Sequence, residues 1–70
     1  PAWQLIEEIG YRGKVIGGAM VSDKHANFIV NIGGAKAADV EQLINEIQSR
    51  VMQQYGITLT TEVEKFNWNN

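Results

Sequence analysis

The sequence predicts an α+β domain in the order helix, strand, strand, helix, strand, with one small sheet packed against one long helix. Three observations carry that prediction. Val40, Leu43, Ile44, Ile47, Val51 and Tyr55 keep a helical period over several turns. From Ile57 the period changes to two, placing Ile57, Leu59, Thr61 and Val63 on one face and Thr58, Thr60, Glu62 and Glu64 on the other. Phe28-Ile29-Val30-Asn31-Ile32 is apolar on both faces, as in a strand buried on each side.

The elements follow in order. Leu5, Ile6 and Ile9 form an apolar stripe on a short helix over Ala2 to Ile9, which Gly10 ends, with Glu7 and Glu8 on its wet side. Lys14 to Val21 reads as one strand bent at Gly17-Gly18, where a missing side chain permits a bulge or a close backbone approach. Ser22 to Asn27 is a polar turn into the Phe28 to Ile32 strand, which Gly33-Gly34 ends. The long helix is expected from Ala37 to Tyr55, with Asp39 in its first turn, a Glu46/Arg50 pair at i, i+4 and Gly56 as its stop. Lys36 stands where a Ser or Thr cap is common, at a cost of about 1 kcal/mol.

Composition narrows the function classes. Seventy residues, 44% hydrophobic and 20% charged, make one domain, and folding at this size removes only about 60% of the chain's surface from water. A complete enzyme with its own cofactor pocket is not expected. Without cysteine there is neither a disulfide framework nor a thiolate metal site, and a lone His25 without a second ligand at a suitable spacing makes no metal site either. No apolar stretch approaches a membrane span or a signal-peptide core. Both methionines are internal and the chain opens on Pro1-Ala2-Trp3, which reads as a sequence already under way.

Three places carry candidate chemistry. Gly10-Tyr11-Arg12-Gly13, with Lys14 after it, has the Gly-x-x-Gly shape of the backbone clamp in KH nucleic-acid-binding modules. Against it, a KH clamp joins two helices, the residues that follow read as a strand, and a net charge of −2 gives no general attraction for phosphates. Lys24 and His25 can donate to an anion such as a diphosphate, and the reading sets them near the glycine pair; the plain alternative is a solvated turn. Glu62, on the face opposite Leu59 and Val63, either meets solvent or is offered to a cleft, where desolvation would raise its pKa and suit it to donate a proton.

The run Ile16-Gly17-Gly18-Ala19-Met20-Val21-Ser22-Asp23-Lys24-His25-Ala26-Asn27-Phe28-Ile29-Val30-Asn31 resembles the IGGAxVSxKHAxFIVN signature of the C-terminal domain of the bacterial UDP-N-acetylenolpyruvoylglucosamine reductase family. Ala2-Trp3-Gln4-Leu5-Ile6-Glu7 is similar to that family's opening helix, and Tyr55-Gly56-Ile57-Thr58-Leu59-Thr60-Thr61-Glu62-Val63 to its closing FGIxLxxEV. The likeness runs from residue 2 to about residue 66 and takes residues 1–70 as a single C-terminal substrate-binding domain of a larger flavoenzyme.

The resemblance implies an oxidoreductase of peptidoglycan precursor synthesis in the bacterial cytoplasm, using FAD and NADPH to reduce an enolpyruvyl UDP-sugar to UDP-N-acetylmuramate. It implies that two preceding domains of the same chain hold the flavin while this domain closes over substrate. No nucleic acid, membrane or metal partner is implied, and the isolated piece is expected to be inactive. Glu62 matches the family's catalytic glutamate; His25, Lys24, Gly17 and Gly18 match its substrate-binding stretch. The family's catalytic serine belongs to a GSxFKNP-like motif expected upstream of Pro1. This sequence departs from the pattern at Glu64, where a basic residue is common, and at Phe66-Asn67 in place of Ile-Gly.

Overall fold

The computed structural model describes residues 2–24, 28–59 and 64–66. The apolar stripe of the long helix folds as α2 (Ala37–Tyr55), with the bounds its periodicity predicts. Val40, Leu43, Ile47 and Val51 are its buried residues, while Ile44 and Tyr55 pack against the core from its margin. Gly56 ends the helix in the left-handed conformation at φ 68°, and its N–H donates to the Met52 carbonyl at 2.9 Å. The short helix α1 (Ala2–Glu8) lies against α2 through Ile6, which is fully buried. Trp3 remains 45% exposed.

The sheet corrects the expected element count. The single bent strand read over Lys14 to Val21 is a hairpin of β1 (Val15–Ile16) and β2 (Ala19–Val21), with Ile16 opposite Ala19 and only Gly17-Gly18 between them. Gly17 has φ 57° and Gly18 has no positive φ, the pattern of a two-residue turn with glycine at its first central position. A β-branched run interrupted by two glycines thus reverses the chain instead of bulging. β3 (Phe28–Asn31) pairs antiparallel with β2 in the register Ala19↔Asn31, Met20↔Val30 and Val21↔Ile29.

The last strand also differs from expectation. Ile57 to Leu59 is not a strand; among the described residues after α2, β4 (Glu64–Phe66) pairs parallel to β3, with Phe28↔Glu64 and Val30↔Phe66. The sheet order is therefore β1-β2-β3-β4, antiparallel except at its last pair. A parallel neighbour requires a crossover, and α2 supplies it. The chain leaving α2 must first return along the sheet, so residues 56–59 act as a connection. Ile57 is 44% exposed, whereas Leu59 reaches the core and its carbonyl accepts from Gln48 Nε2 at 3.1 Å.

Alternation assigns the faces. Ala19, Val21 and Ile29 are fully buried and meet the apolar side of α2. Each such Val or Ile contributes about 1.5–3 kcal/mol of burial. Val15, Met20 and Val30, which stand opposite one another in register, occupy the other face.

Candidate functional site

Those predicted site residues that the structure describes fall at two ends of the sheet. Gly17 and Gly18 lie where β2 begins and β3 finishes, while Lys24 lies beyond the end of β2, where β3 begins. The expectation that Lys24 sits near the glycine pair is corrected: the antiparallel strand between them carries the chain to the opposite end of the sheet. His25 and Glu62 lie outside the described residues.

At the glycine end the geometry explains both glycines without a ligand. A Cβ on Gly17 would come closer than 3.0 Å to the carboxylate of Asp39, and one on Gly18 would come as close to the Gly33 carbonyl oxygen and the backbone of Ala35. The space is filled by packing of the hairpin against the start of α2. Asp39 Oδ2 accepts from the Gly18 N–H at 3.3 Å and from the Lys36 N–H at 3.1 Å. The Gly18 carbonyl accepts from the Ile32 N–H at 2.8 Å. Both backbone groups of Gly18 are therefore engaged within the protein.

The same end contains two polar residues whose roles the periodicity did not reveal. Lys36, the N-cap, has no acceptor in its side chain, so only the return half of a capping box forms, from Asp39 at N3. This offsets part of the cost expected for a missing Ser or Thr. Asn31 Oδ1 accepts from the Gly33 N–H at 2.9 Å and the Ala35 N–H at 3.2 Å, fixing the path from β3 into α2. An Asn two residues before a Gly-Gly pair is the sequence signal for such a turn.

At the opposite end, Lys24 is exposed and its N–H donates to Ser22 Oγ at 3.1 Å. Arg12 reaches the same turn: its Nε donates to the Asp23 carbonyl, and its guanidinium pairs with Glu7 at 3.5 Å. Phe28 and Glu64, the first residues of β3 and β4, pair at this end.

The Gly10 to Gly13 loop joins a helix to a strand, unlike a KH clamp. The Gly10 N–H donates to the Glu7 carbonyl, that of Tyr11 to Ile6 and that of Gly13 to Val21, so the loop's donors serve the fold. Tyr11 is buried and its hydroxyl donates to Glu46 Oε1 at 2.7 Å, while Gln42 Nε2 donates to Glu46 Oε2 at 3.2 Å. Glu46 thus takes hydrogen bonds from Tyr11 and Gln42, and the charge of Arg50, its expected i, i+4 partner, adds a smaller attraction that also lowers its pKa. Burial first, and then the Glu46 hydrogen bond, raise the Tyr11 phenol pKa; the Tyr11 hydrogen bond is the main reason the Glu46 pKa is lowered. Among the described residues there is no grouping of three or more His, Cys, Asp or Glu able to hold a metal ion. No described helix is long and apolar enough to cross a membrane.

The fold defines a two-layer α+β domain whose single long helix crosses between parallel neighbours of a mixed sheet. The family described as UDP-N-acetylenolpyruvoylglucosamine reductase, C-terminal domain, matches residues 1–66, and the chain belongs to that family. A protein of that reductase name from Carboxydothermus hydrogenoformans is 59% identical over 64 residues, covering 91% of this chain and 21% of the relative. A namesake from Heliobacterium modesticaldum is 60% identical over 62 residues, covering 89% and 20%, and one from Prochlorococcus marinus is 54% identical over 67 residues, covering 96% and 22%. The chain spans about a fifth of the length of these curated relatives.

Proposed function

We propose that this chain is the C-terminal, substrate-binding domain of a UDP-N-acetylenolpyruvoylglucosamine reductase, acting in peptidoglycan precursor synthesis. The reaction adds hydride and a proton across the enolpyruvyl double bond of the UDP-sugar, giving UDP-N-acetylmuramate. FAD and NADPH are assigned to the rest of the full-length chain. Over the outer face of α2 the described residues leave an open groove, lined by charged and amide side chains such as Glu41, Gln42 and Arg50 together with Tyr11, Met52 and Leu59.

Within this chain, Glu62 is the residue assigned to catalysis. Its carboxyl group is assigned to stabilise the charge that develops beside the substrate carboxylate as the double bond is reduced. Lys24 and His25 are assigned to the diphosphate, as a point charge and a neutral or charged donor respectively. Gly17 and Gly18 hold the hairpin against α2, and their part in binding is indirect. The supporting observation is the parallel register Phe28↔Glu64, which starts β3 and β4 side by side. The stretches bearing His25 and Glu62 lead directly into those two strands.

The test is made in the full-length reductase. Glu62→Gln is expected to lower turnover of the UDP-sugar by about 10²-fold or more, with flavin reduction by NADPH close to the parent rate. Lys24→Ala is expected to raise KM for the UDP-sugar with a smaller change in kcat. Normal turnover in Glu62→Gln would remove the catalytic assignment.

A further inference from the structure

Among the described residues, the sheet face turned away from α2 carries an apolar row that neither helix covers. Val15, Met20 and Val30 stand opposite one another in register across three strands. Val15 is 46% exposed, and Met20 and Val30 are half-buried. The Ile32 N–H still bonds the Gly18 carbonyl, so the ladder and its alternation continue one residue past β3 and bring Ile32 to the same face, 53% exposed. Neither helix covers this row: α2 packs on Ala19, Val21 and Ile29, and α1 packs on α2. An antiparallel sheet with one wet face alternates apolar and polar residues. The two central strands here do not, since Met20 and Val30 are as apolar as the Val21 and Ile29 beside them. That is the composition of a sheet covered on both sides, and an exposed apolar patch of this kind marks an interface.

We infer that the face of Val15, Met20, Val30 and Ile32 docks against the preceding part of the full-length reductase chain. The occupant follows from length and family. This chain matches 20–22% of its relatives, and the family it belongs to is the C-terminal domain, so most of the full chain lies on its N-terminal side and is available to cover the row. The inference rests on the reading of this chain as that domain. Covered on both faces, the sheet becomes the middle layer between α2 and the rest of the enzyme. The Lys24 end is then fixed relative to the neighbouring domains through rigid strands.

The experiment is cysteine labelling in the full-length enzyme, because the 70 residues contain no cysteine. Val15→Cys, Ile32→Cys and, as an exposed reference, Gln53→Cys are each reacted with a maleimide. Modification is read on the tryptic peptides bounded by Lys14, Lys24, Lys36, Arg50 and Lys65. Val15→Cys and Ile32→Cys are expected to react about tenfold or more slowly than Gln53→Cys, at a rate independent of protein concentration. Labelling of both as fast as Gln53→Cys overturns the inference. Protection that is lost on dilution also overturns it, by showing that a second copy covers the face. Turnover of the unsubstituted full-length chain with the UDP-sugar tests the underlying reading separately, since a competent reductase with freely labelled Val15→Cys rejects only the docking surface. The two labelled positions lie on different strands, so a folding defect in one variant leaves the other to decide.

Discussion

Replacing Asp39 with alanine should destabilise the domain by about 2 kcal/mol, through three separable effects. The carboxylate returns a hydrogen bond to the Lys36 N–H at the head of α2, and loss of such a cap costs about 1 kcal/mol. It also accepts from the Gly18 N–H across the hairpin, a long bond of 3.3 Å worth about 0.5 kcal/mol, at the low end of the usual range. Its negative charge in the first helical turn adds about 0.5 kcal/mol against the positive end of the helix. For a domain of this size each kcal/mol moves the melting temperature by about 4–8 °C, so the midpoint should fall by about 8–16 °C. Thermal and urea unfolding followed by far-ultraviolet circular dichroism measure the change, with an unchanged urea slope expected. Asp39→Asn keeps an acceptor and loses the charge, and should cost about 0.5 kcal/mol. A loss below about 0.5 kcal/mol in Asp39→Ala would refute the claim that this side chain ties the hairpin to the helix.

Two further predictions bear on the same packing and on its pH dependence. Gly18→Ala introduces a methyl group against the Gly33 carbonyl and the Ala35 backbone, neither of which can rotate away, and should cost about 1–3 kcal/mol by denaturant titration; a neutral effect would mean the approach is loose. Tyr11→Phe should lower the melting temperature near neutral pH by about 3–5 °C. The same change should reshape the pH curve of stability. The lowered Glu46 pKa contributes stability above about pH 4.3 that is lost as pH falls through its folded value. The raised Tyr11 pKa contributes stability below about pH 10 that is lost as pH rises through its folded value. The phenylalanine variant should show a smaller loss at both limbs, and parallel curves for the two proteins would exclude the Tyr11–Glu46 bond as the cause.

Legibility in the sequence followed the range of the interactions. α2 was readable from Ala37 to Tyr55 because its stripe and its Gly56 stop are local features, and each residue is constrained by neighbours three and four positions away. The hairpin was not, because Gly17-Gly18 is equally suited to a bulge or a reversal until it is known that Asp39 and Ala35 pack against it. Period two from Ile57 identifies a strand to come, but not that residues 57–59 belong to the crossover and that β4 at Glu64–Phe66 pairs parallel to β3. Tyr11 and Glu46 are far apart in sequence and joined only by tertiary packing, so neither periodicity nor spacing could pair them. For the candidate site, the polar turn and the strand alternation single out Lys24, His25 and Glu62 and the resemblance adds Gly17 and Gly18, but only the fold separates them: Gly17 and Gly18 serve one end of the sheet and Lys24 stands at the other.

That separation has a mechanical consequence for how a small domain can support chemistry. At the end of β3 where Asn31 lies, side-chain acceptors from Asn31 and Asp39 fasten the strand to the hairpin and to α2. The end at which β3 and β4 begin carries the polar turn with Lys24 and Arg12. Binding groups on loops are positioned by the scaffold beneath them, and a scaffold is stiffest where its backbone polar groups are tied by side chains as well as by the ladder. Register adds a second constraint, because a slip of β4 by one residue against β3 would exchange the sheet faces of every residue in the strand. The family-like glycines and the proposed catalytic glutamate therefore need no contact with each other to serve one function. The glycines set the stiffness and register of the strands, and the proposed polar groups act from the segments that lead into them.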